Sequence, residues 1–315
     1  MKRAIIAIFL VFILAAFDFA FYRLVVKRYV NQSSAEMQAK SIELHKFLPF
    51  EQDSQIVRVN SSLKLSGDLP IIDGAAALYP IFSAFVAANY PKESVEFDGQ
   101  NFTNVSRLKF SNTRGAYKAI SDGEADLIFV AAPSKQQLDY AREKGANLRF
   151  VPIGLEAFVF IINANNKISN LTVDQVRGIY SGEFDDWSQL GGERMRIDAV
   201  QRNAGSGSQS AFLKFMSKTQ PKRKITGFFG SAIGFSFRYY VEGIVRNGGV
   251  KMLSLNGAYP NKENIASRKY PLVAEIYAVY DENNKNENIR TLIDWILSPQ
   301  GQSIIENSGY VPIRG

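Results

Sequence analysis

The stretch QRNAGSGSQS, residues 201–210, joins a strand-like segment to AFLKFMSK, which has the pattern of a helix. Its two glycines allow a tight turn and a close approach to the backbone. The first amides of a helix lack intrahelical partners and lie at the positive end of the helix dipole. Arg202, Ser206 and Ser208 add guanidinium and hydroxyl donors. The stretch therefore predicts either an anion site or a capped turn in which Ser208 caps the helix and Arg202 is solvated.

Two further junctions of this kind stand earlier in the chain. DGAAAL (73–78), the first junction, and SNTRGA (111–116), the second, place small or hydroxylated residues where a strand-like segment gives way to a helix-like one. The stretch at 201–210 is the third junction. Strand-like and helix-like segments alternate from residue 67 onward, which predicts an α/β fold. Open α/β sheets bind ligands beyond the carboxyl ends of their strands. We therefore expect the three helix N-termini to converge on one anion.

Composition argues against several classes of protein. The 315 residues are enough for two domains, and the net charge of +7 is dispersed, so no nucleic-acid partner is expected. Without cysteine there is no disulfide, thiolate metal site or cysteine nucleophile. The single histidine, His45, lies far in sequence from the serine-rich junction, so a Ser–His pair is not expected. We expect a protein that is not an enzyme.

Cofactor and metal motifs are also missing from the sequence. The junctions match neither G-x-x-x-x-G-K-[ST] nor G-x-G-x-x-G, the two glycine-rich nucleotide motifs. Asp185 and Asp186, beside Trp187, are interpreted as a loop and helix cap rather than as metal ligands. No cofactor and no metal are predicted.

The N-terminus is apolar after a basic start. The run from 4 to 17 has the length of a secretory signal, and its extension to residue 22 approaches the ~20 residues that span a bilayer. We predict that residues 1–28 are an uncleaved signal anchor, with a cleaved signal peptide or a buried core helix as alternatives. Arg23, Lys27 and Arg28 follow the run, and such charges favour the cytoplasmic side of a membrane. They therefore conflict with an orientation in which the chain after the run lies outside the cytoplasm. The anchor implies a membrane-attached domain outside the cytoplasm.

Six segments, in their order and spacing, resemble the phosphate-binding family of ABC-transporter solute-binding proteins. They are IIDGAAALYPIFSAFVAANYP, NTRGAYKAISDGEADLIFVAAPS, LTVDQVRGIYSGEFDDWSQLGG, VQRNAGSGSQSAFLKF, AIGFSF and SPQGQSIIENSGYVPI. The resemblance covers about residues 67 to 313. It implies a two-lobed periplasmic-binding-protein type II fold, an α/β architecture, here with an N-terminal membrane anchor helix. In that family the lobes close over an oxyanion held by backbone amides, hydroxyls and one arginine.

The resemblance also implies which residues bind the ligand. The family's arginine falls on Arg202, and its first loop falls on residues that can offer only backbone amides. A Ser-Gly-Thr cradle becomes Ser-Gly-Ser, which retains the hydroxyl. The implied ligand-binding residues are Ala76, Ala77, Leu78, Thr113, Arg202, Ser206, Gly207 and Ser208.

One position departs from the family. Ala131 stands where the family has an aspartate that accepts a hydrogen bond from protonated phosphate. Asp73 or Asp126 could substitute as the acceptor, but we expect Asp73 to cap the helix that follows it and Asp126 to face away at its strand start. Arg114 could add a second cation, but we expect its side chain to be exposed. A site that hydrogen-bonds a substrate hydroxyl rejects analogues without it. Discrimination between phosphate and sulfate is therefore expected to weaken.

The resemblance implies an extracytoplasmic solute-binding protein that captures an inorganic oxyanion, phosphate first, and delivers it to an ABC transporter permease. Its lobes are expected to comprise residues 67–151 plus 265–315 and residues 152–264, after a tether and entry segment at 29–66. The alanine-rich first loop and Ala131 keep an alternative open. That alternative is a membrane-tethered sensor or scaffold domain with the same fold and weak or altered ligand binding.

Overall fold

A computed structural model of the chain describes residues 42–202, 206–222, 231–245 and 249–313. The predicted signal anchor at 1–28 and the first part of the predicted tether lie outside the described residues, as does Gly205. Among the described helices, none combines the length and apolarity needed to cross a membrane. The later part of the predicted tether is folded, because Ile42, Ile56 and Leu65 are buried in a hydrophobic core.

Strands and helices alternate through most of the described chain, which confirms the mixed α/β class. The strands are β1 (Ile72–Gly74), β2 (Leu127–Ala131), β3 (Leu148–Asn163), β4 (Asn170–Leu171), β5 (Asp198–Ala199), β6 (Ala232–Phe237), β7 (Val250–Met252), β8 (Ser254–Leu255), β9 (Val273–Asp281) and β10 (Val311–Pro312). The α-helices are α1 (Tyr79–Asn89), α2 (Asn112–Asp122), α3 (Lys135–Glu143), α4 (Val173–Ser181), α5 (Gly207–Met216), α6 (Lys262–Ala266), α7 (Glu287–Ile296) and α8 (Pro299–Asn307). Short 3-10 helices span Leu44–Phe47, Ala76–Leu78, Lys92–Ser94 and Trp187–Leu190, and a π-helix spans Tyr240–Val245.

The strands form a sheet in the order β1-β2-β9-β3-β6-β5, with β7 and β10 also paired to β3, while β4 pairs with β8. β1 and β2 run parallel, as do β5 and β6. Leu108, just before the second junction, bridges to Ile72 of β1 in the parallel sense. Because parallel strands end at the same edge, the first two junctions lie together beyond the carboxyl end of β1.

Two hydrophobic cores flank the middle of this sheet. One draws its buried residues from 42–153 and 276–310, and the other from 155–270 and Val311. β3 and β9 pair antiparallel along their length and contribute to both cores, with a register shift in β3 between Pro152 and Gly154. The chain is thus two-lobed, with long strands passing between the lobes. The predicted lobe boundaries themselves stay a prediction.

Two helices carry predicted site residues at their N-termini. α2 buries Tyr117 and Ile120 in the first core and ends at Gly123, whose φ of 74° is the left-handed conformation typical of a helix C-cap. α5 buries Phe212 and Met216 in the second core. Burial of one apolar face in each case fixes the position of the helix start.

Candidate functional site

The first junction contains the turn Ala76–Leu78, which connects β1 to α1. The Ala75 amide donates to the carbonyl of Phe129, and the Leu78 amide donates to the carbonyl of Ala75, at 2.8 and 2.9 Å. Among the described residues, the amides of Ala76 and Ala77 have no hydrogen-bond partner. Leu78 is buried and its amide is already used, so the donors that this turn offers come from Ala76 and Ala77.

Asp73 joins the first junction to the second. It is buried, and its carboxylate accepts hydrogen bonds from the Gly74 amide at 2.7 Å, the Ser111 amide at 2.8 Å and the Ser111 hydroxyl. Burial raises the pKa of Asp73, and these hydrogen bonds oppose the shift. The expectation that Asp73 caps the next helix is wrong, because its partner outside its own strand is Ser111, the N-cap of α2. The Asp73 carboxylate therefore connects the end of β1 to the start of α2.

Thr113 brings the second junction against the third. A Cβ built on Gly207 would lie 3.4 Å from the Thr113 hydroxyl oxygen, 3.7 Å from its methyl carbon and 3.9 Å from the Phe237 ring. Thr113 is in the first turn of α2 and Gly207 is the first residue of α5. The N-termini of two helices that pack in different cores therefore meet. Their partial positive charges add up at this point and raise the local positive potential.

The third junction is capped by Ser206 rather than Ser208. The Ser206 hydroxyl oxygen accepts the Gln209 amide at 3.1 Å, and helix α5 starts at Gly207. The capped-turn alternative therefore named the wrong serine. Within the described part of the chain, the Gly207 and Ser208 amides and the Ser208 hydroxyl have no hydrogen-bond partner. A capped helix start and a set of available donors coexist here.

Arg202 is held in place by contacts that sequence reasoning missed. Its amide donates to the side-chain oxygen of Gln209 at 2.9 Å, and the Gln209 side-chain nitrogen donates to Gln201 at 3.2 Å. Gln209 is buried and thus clamps the end of the strand to the first turn of α5. The Arg202 guanidinium lies beside the Tyr240 hydroxyl, and although burial raises the pKa of Tyr240, this arginine opposes the shift. Gln209 therefore fixes the backbone of Arg202, and Tyr240 lies beside its guanidinium.

The carboxyl end of β2 carries no acidic side chain. Ala131 pairs with Ile276 of β9, and its carbonyl accepts the Tyr117 hydroxyl at 2.7 Å. Asp126, at the opposite end, accepts from the Ile71 amide at 2.7 Å and from Asn284 at 2.6 Å, as expected for a residue facing away from the site. The donor-rich edge therefore has no side-chain acceptor from this strand.

The other candidate residues are Arg114, which follows Thr113 in the first turn of α2, and Asp186 and His45, which belong to other segments. Arg114 is exposed, as expected. Asp186 caps the 3-10 helix Trp187–Leu190 by accepting the Ser188 amide at 2.9 Å, which agrees with its interpretation as a cap. His45 is exposed beside Glu43 at 3.7 Å. The chemistry at the junctions is therefore that of amide, hydroxyl and guanidinium donors, which suits a bound anion.

Comparisons with known proteins agree with this geometry. Residues 71–300 match the family described as "PBP superfamily domain". The phosphate-binding protein PstS of Borreliella burgdorferi is 27% identical over 230 residues, covering 65% of this chain and 81% of that protein. PstS of Bacillus subtilis is 25% identical over 264 residues, covering 79% and 82%.

Solved structures show the same fold at low identity. A Clostridium perfringens protein with bound phosphate has a TM-score of 0.61 at 22% identity, covering 77% of this chain and 98% of that one. An ABC-type phosphate transport receptor from Vibrio cholerae has a TM-score of 0.56 at 19% identity, covering 76% and 98%. With the family match extending over most of the sequence, the chain belongs to the PBP superfamily.

Proposed function

We propose that this protein is an extracytoplasmic solute-binding protein that captures an inorganic oxyanion, phosphate first, for ABC-type uptake. The observation that carries the proposal is the meeting of the α2 and α5 N-termini at Thr113 and Gly207. The amides at Ala76, Ala77, Gly207 and Ser208, which are unused among the described residues, together with the Thr113 hydroxyl and a guanidinium, suit a multiply charged oxyanion. The relatives named as phosphate-binding proteins support the same ligand class.

The two-lobed fold supports capture in a cleft. We assign lobe one to residues 67–151 plus 265–315 and lobe two to 152–264, since most buried residues of the two cores divide in this way. Among the described residues, the exceptions are Ile42, Ile56 and Leu65 of the entry segment and Ile153, which join the first core, and Ile265, Tyr270 and Val311, which lie in the second core. Closure requires a ligand that interacts more favourably with the closed form than with the open one. An anion that contacts donors from α2 and α5 at once provides that difference.

Calorimetric titration of the full-length protein with phosphate, and separately with sulfate, tests the function. We expect saturable binding of phosphate with one anion per chain. If the protein binds neither anion, the proposal fails and the alternative of a membrane-tethered sensor or scaffold domain is favoured.

Replacing Ala131 with aspartate is expected to increase the preference for phosphate over sulfate. The carboxylate would accept a hydrogen bond from protonated phosphate and repel fully ionised sulfate. Competition titrations of both anions against wild type, Ala131→Asp and the neutral control Ala131→Asn measure the effect. A wild type that already prefers phosphate by several orders of magnitude would mean that another group supplies the acceptor.

The proposed location outside the cytoplasm and the proposed permease partner rest on the N-terminal sequence and on the family. We expect the protein to sediment with membranes and to be digested by protease added to spheroplasts. Recovery of the full-length protein in the soluble cytosol would contradict both statements.

A further inference from the structure

Tyr310, in the C-terminal stretch SGYVPI, is a buried residue outside the predicted set of ligand-binding positions. Its side chain is 1% exposed, and its hydroxyl donates a 2.8 Å hydrogen bond to the carbonyl of Ala77. Ala77 belongs to the turn that offers the amides of the first junction. Because the peptide unit is planar, a bond that holds this carbonyl also holds the Leu78 amide, which closes the turn by donating to the carbonyl of Ala75.

The ring of Tyr310 also contacts a residue from beyond β6. The centroids of the Tyr310 and Tyr239 rings are 4.5 Å apart. Gly309 has a φ of 96°, and a Cβ built there would be 3.1 Å from two carbons of the Tyr239 ring. This close approach favours glycine at position 309 and keeps Tyr239 against the end of the C-terminal segment.

The residues on either side of Tyr239 reach the other parts of the site. Phe237 lies 3.9 Å from the Cβ position of Gly207, and Tyr240 lies beside the guanidinium of Arg202. The segment 237–240 thus contacts the third junction and the arginine directly. It contacts the first junction through Tyr310.

Resting on the proposed anion-binding function, we propose that Tyr310 is a positioning residue of the anion site. Its hydroxyl orients the turn that carries the Ala76 and Ala77 amides. Its ring couples that turn, through Tyr239, to the segment that contacts Gly207 and Arg202. Tyr310 itself does not touch the anion.

The variant Tyr310→Phe tests this role, because it removes the hydroxyl and keeps the ring. Tyr90→Phe is its matched control. Tyr90 is also buried in the first core and donates to a backbone carbonyl, that of Pro70, at 2.9 Å. The two variants lose the same kind of hydrogen bond, so similar losses of thermal stability are expected, but only Tyr310→Phe disturbs the turn.

A spectroscopic signal reports the turn itself. Ala77-Leu78 is the only Ala-Leu pair in the sequence. Protein labelled with carbonyl-¹³C alanine and ¹⁵N leucine therefore gives one ¹³C–¹⁵N correlation, from the carbonyl that Tyr310 contacts. We expect this signal to shift in Tyr310→Phe and to stay unchanged in Tyr90→Phe.

Calorimetry with inorganic phosphate on the full-length variants completes the test. We expect Tyr310→Phe to weaken binding about tenfold, as for loss of one well-placed hydrogen bond, and Tyr90→Phe to bind within about twofold of wild type. If Tyr310→Phe binds like wild type, or if the alanine carbonyl signal does not move, the positioning role is overturned while the proposed function stands. If wild type binds no phosphate, the proposed function fails and this inference fails with it.

Discussion

Replacing Arg202 with alanine is expected to weaken phosphate binding by at least tenfold. The substitution removes the guanidinium, which lies beside Tyr240 on a backbone that Gln209 fixes at the third junction. A hydrogen bond to a charged group contributes about 1.5–3 kcal/mol, which corresponds to roughly a ten- to hundredfold change in the dissociation constant. Calorimetric titration of phosphate into wild type and Arg202→Ala measures the change.

Two further variants separate the effect of the position of Arg202 from the effect of the protein's net charge. Arg196→Ala removes an exposed arginine from the same lobe, so it changes the net charge equally without reaching the site. It should bind phosphate as wild type does. Arg202→Lys keeps the charge but loses the planar fork, and an intermediate affinity is expected. Equal losses of phosphate affinity in Arg202→Ala and Arg196→Ala would show that only the net charge matters. That result would contradict the assignment of Arg202 to the anion site.

Raising the pH from about 4.5 to about 7 is expected to lower the free energy of unfolding through Glu156. This carboxyl lies in β3, is buried, and has its pKa raised from 4.5 to about 7, mainly by burial. Arg238 at 3.5 Å and the amides of Ala157 and Tyr239 favour the charged form, whereas the charge on Glu242 disfavours it. Burial outweighs the attraction, as is common when a charge is removed from water.

The free energy of unfolding falls with rising pH because the folded and unfolded states bind the Glu156 proton with different affinities. Between the unfolded pKa and the folded pKa of about 7, the folded protein holds the Glu156 proton more tightly than the unfolded chain does. The stability from this group is fully present below about pH 4.5 and is lost as pH rises through about 7. At about 1.4 kcal/mol per pKa unit, the loss is on the order of 3 kcal/mol.

Denaturant unfolding of wild type and Glu156→Gln from pH 4 to pH 8 measures this contribution. The glutamine variant cannot ionise, so the difference in unfolding free energy between the two proteins should change across this window and level off above it. A difference that does not vary with pH would mean that folding leaves the pKa of Glu156 unchanged. Acidic groups elsewhere cancel in the comparison because both proteins share them.

Local sequence patterns predicted much of the fold and the positions of the helix starts. Small and hydroxylated residues do stand where helices begin, at Ala76–Leu78, 111–113 and 206–208, because tight turns and helix caps favour them. The pattern did not distinguish Ser206 from Ser208 as the cap. That choice depends on where the helix begins, and Gln209 fixes it through its bonds to Ser206 and Arg202.

The contacts between junctions could not be predicted from local pattern. Asp73 was expected to act on the helix that follows it, yet its partner Ser111 is far along the chain and becomes a neighbour through the parallel pairing beside β1. Tyr310 contacts Ala77 across an even longer separation. Such pairs arise from the order of strands in the sheet, which periodicity does not encode.

A crystal structure of the protein grown with phosphate tests the central claim most directly, namely that one anion is held by the N-termini of α2 and α5 together. We predict a single phosphate whose oxygens lie about 2.7–3.2 Å from the Thr113 hydroxyl, from an amide of Gly207 or Ser208, and from the Arg202 guanidinium. A phosphate that contacts only one of the two helices, or that lies away from Arg202, would contradict the account.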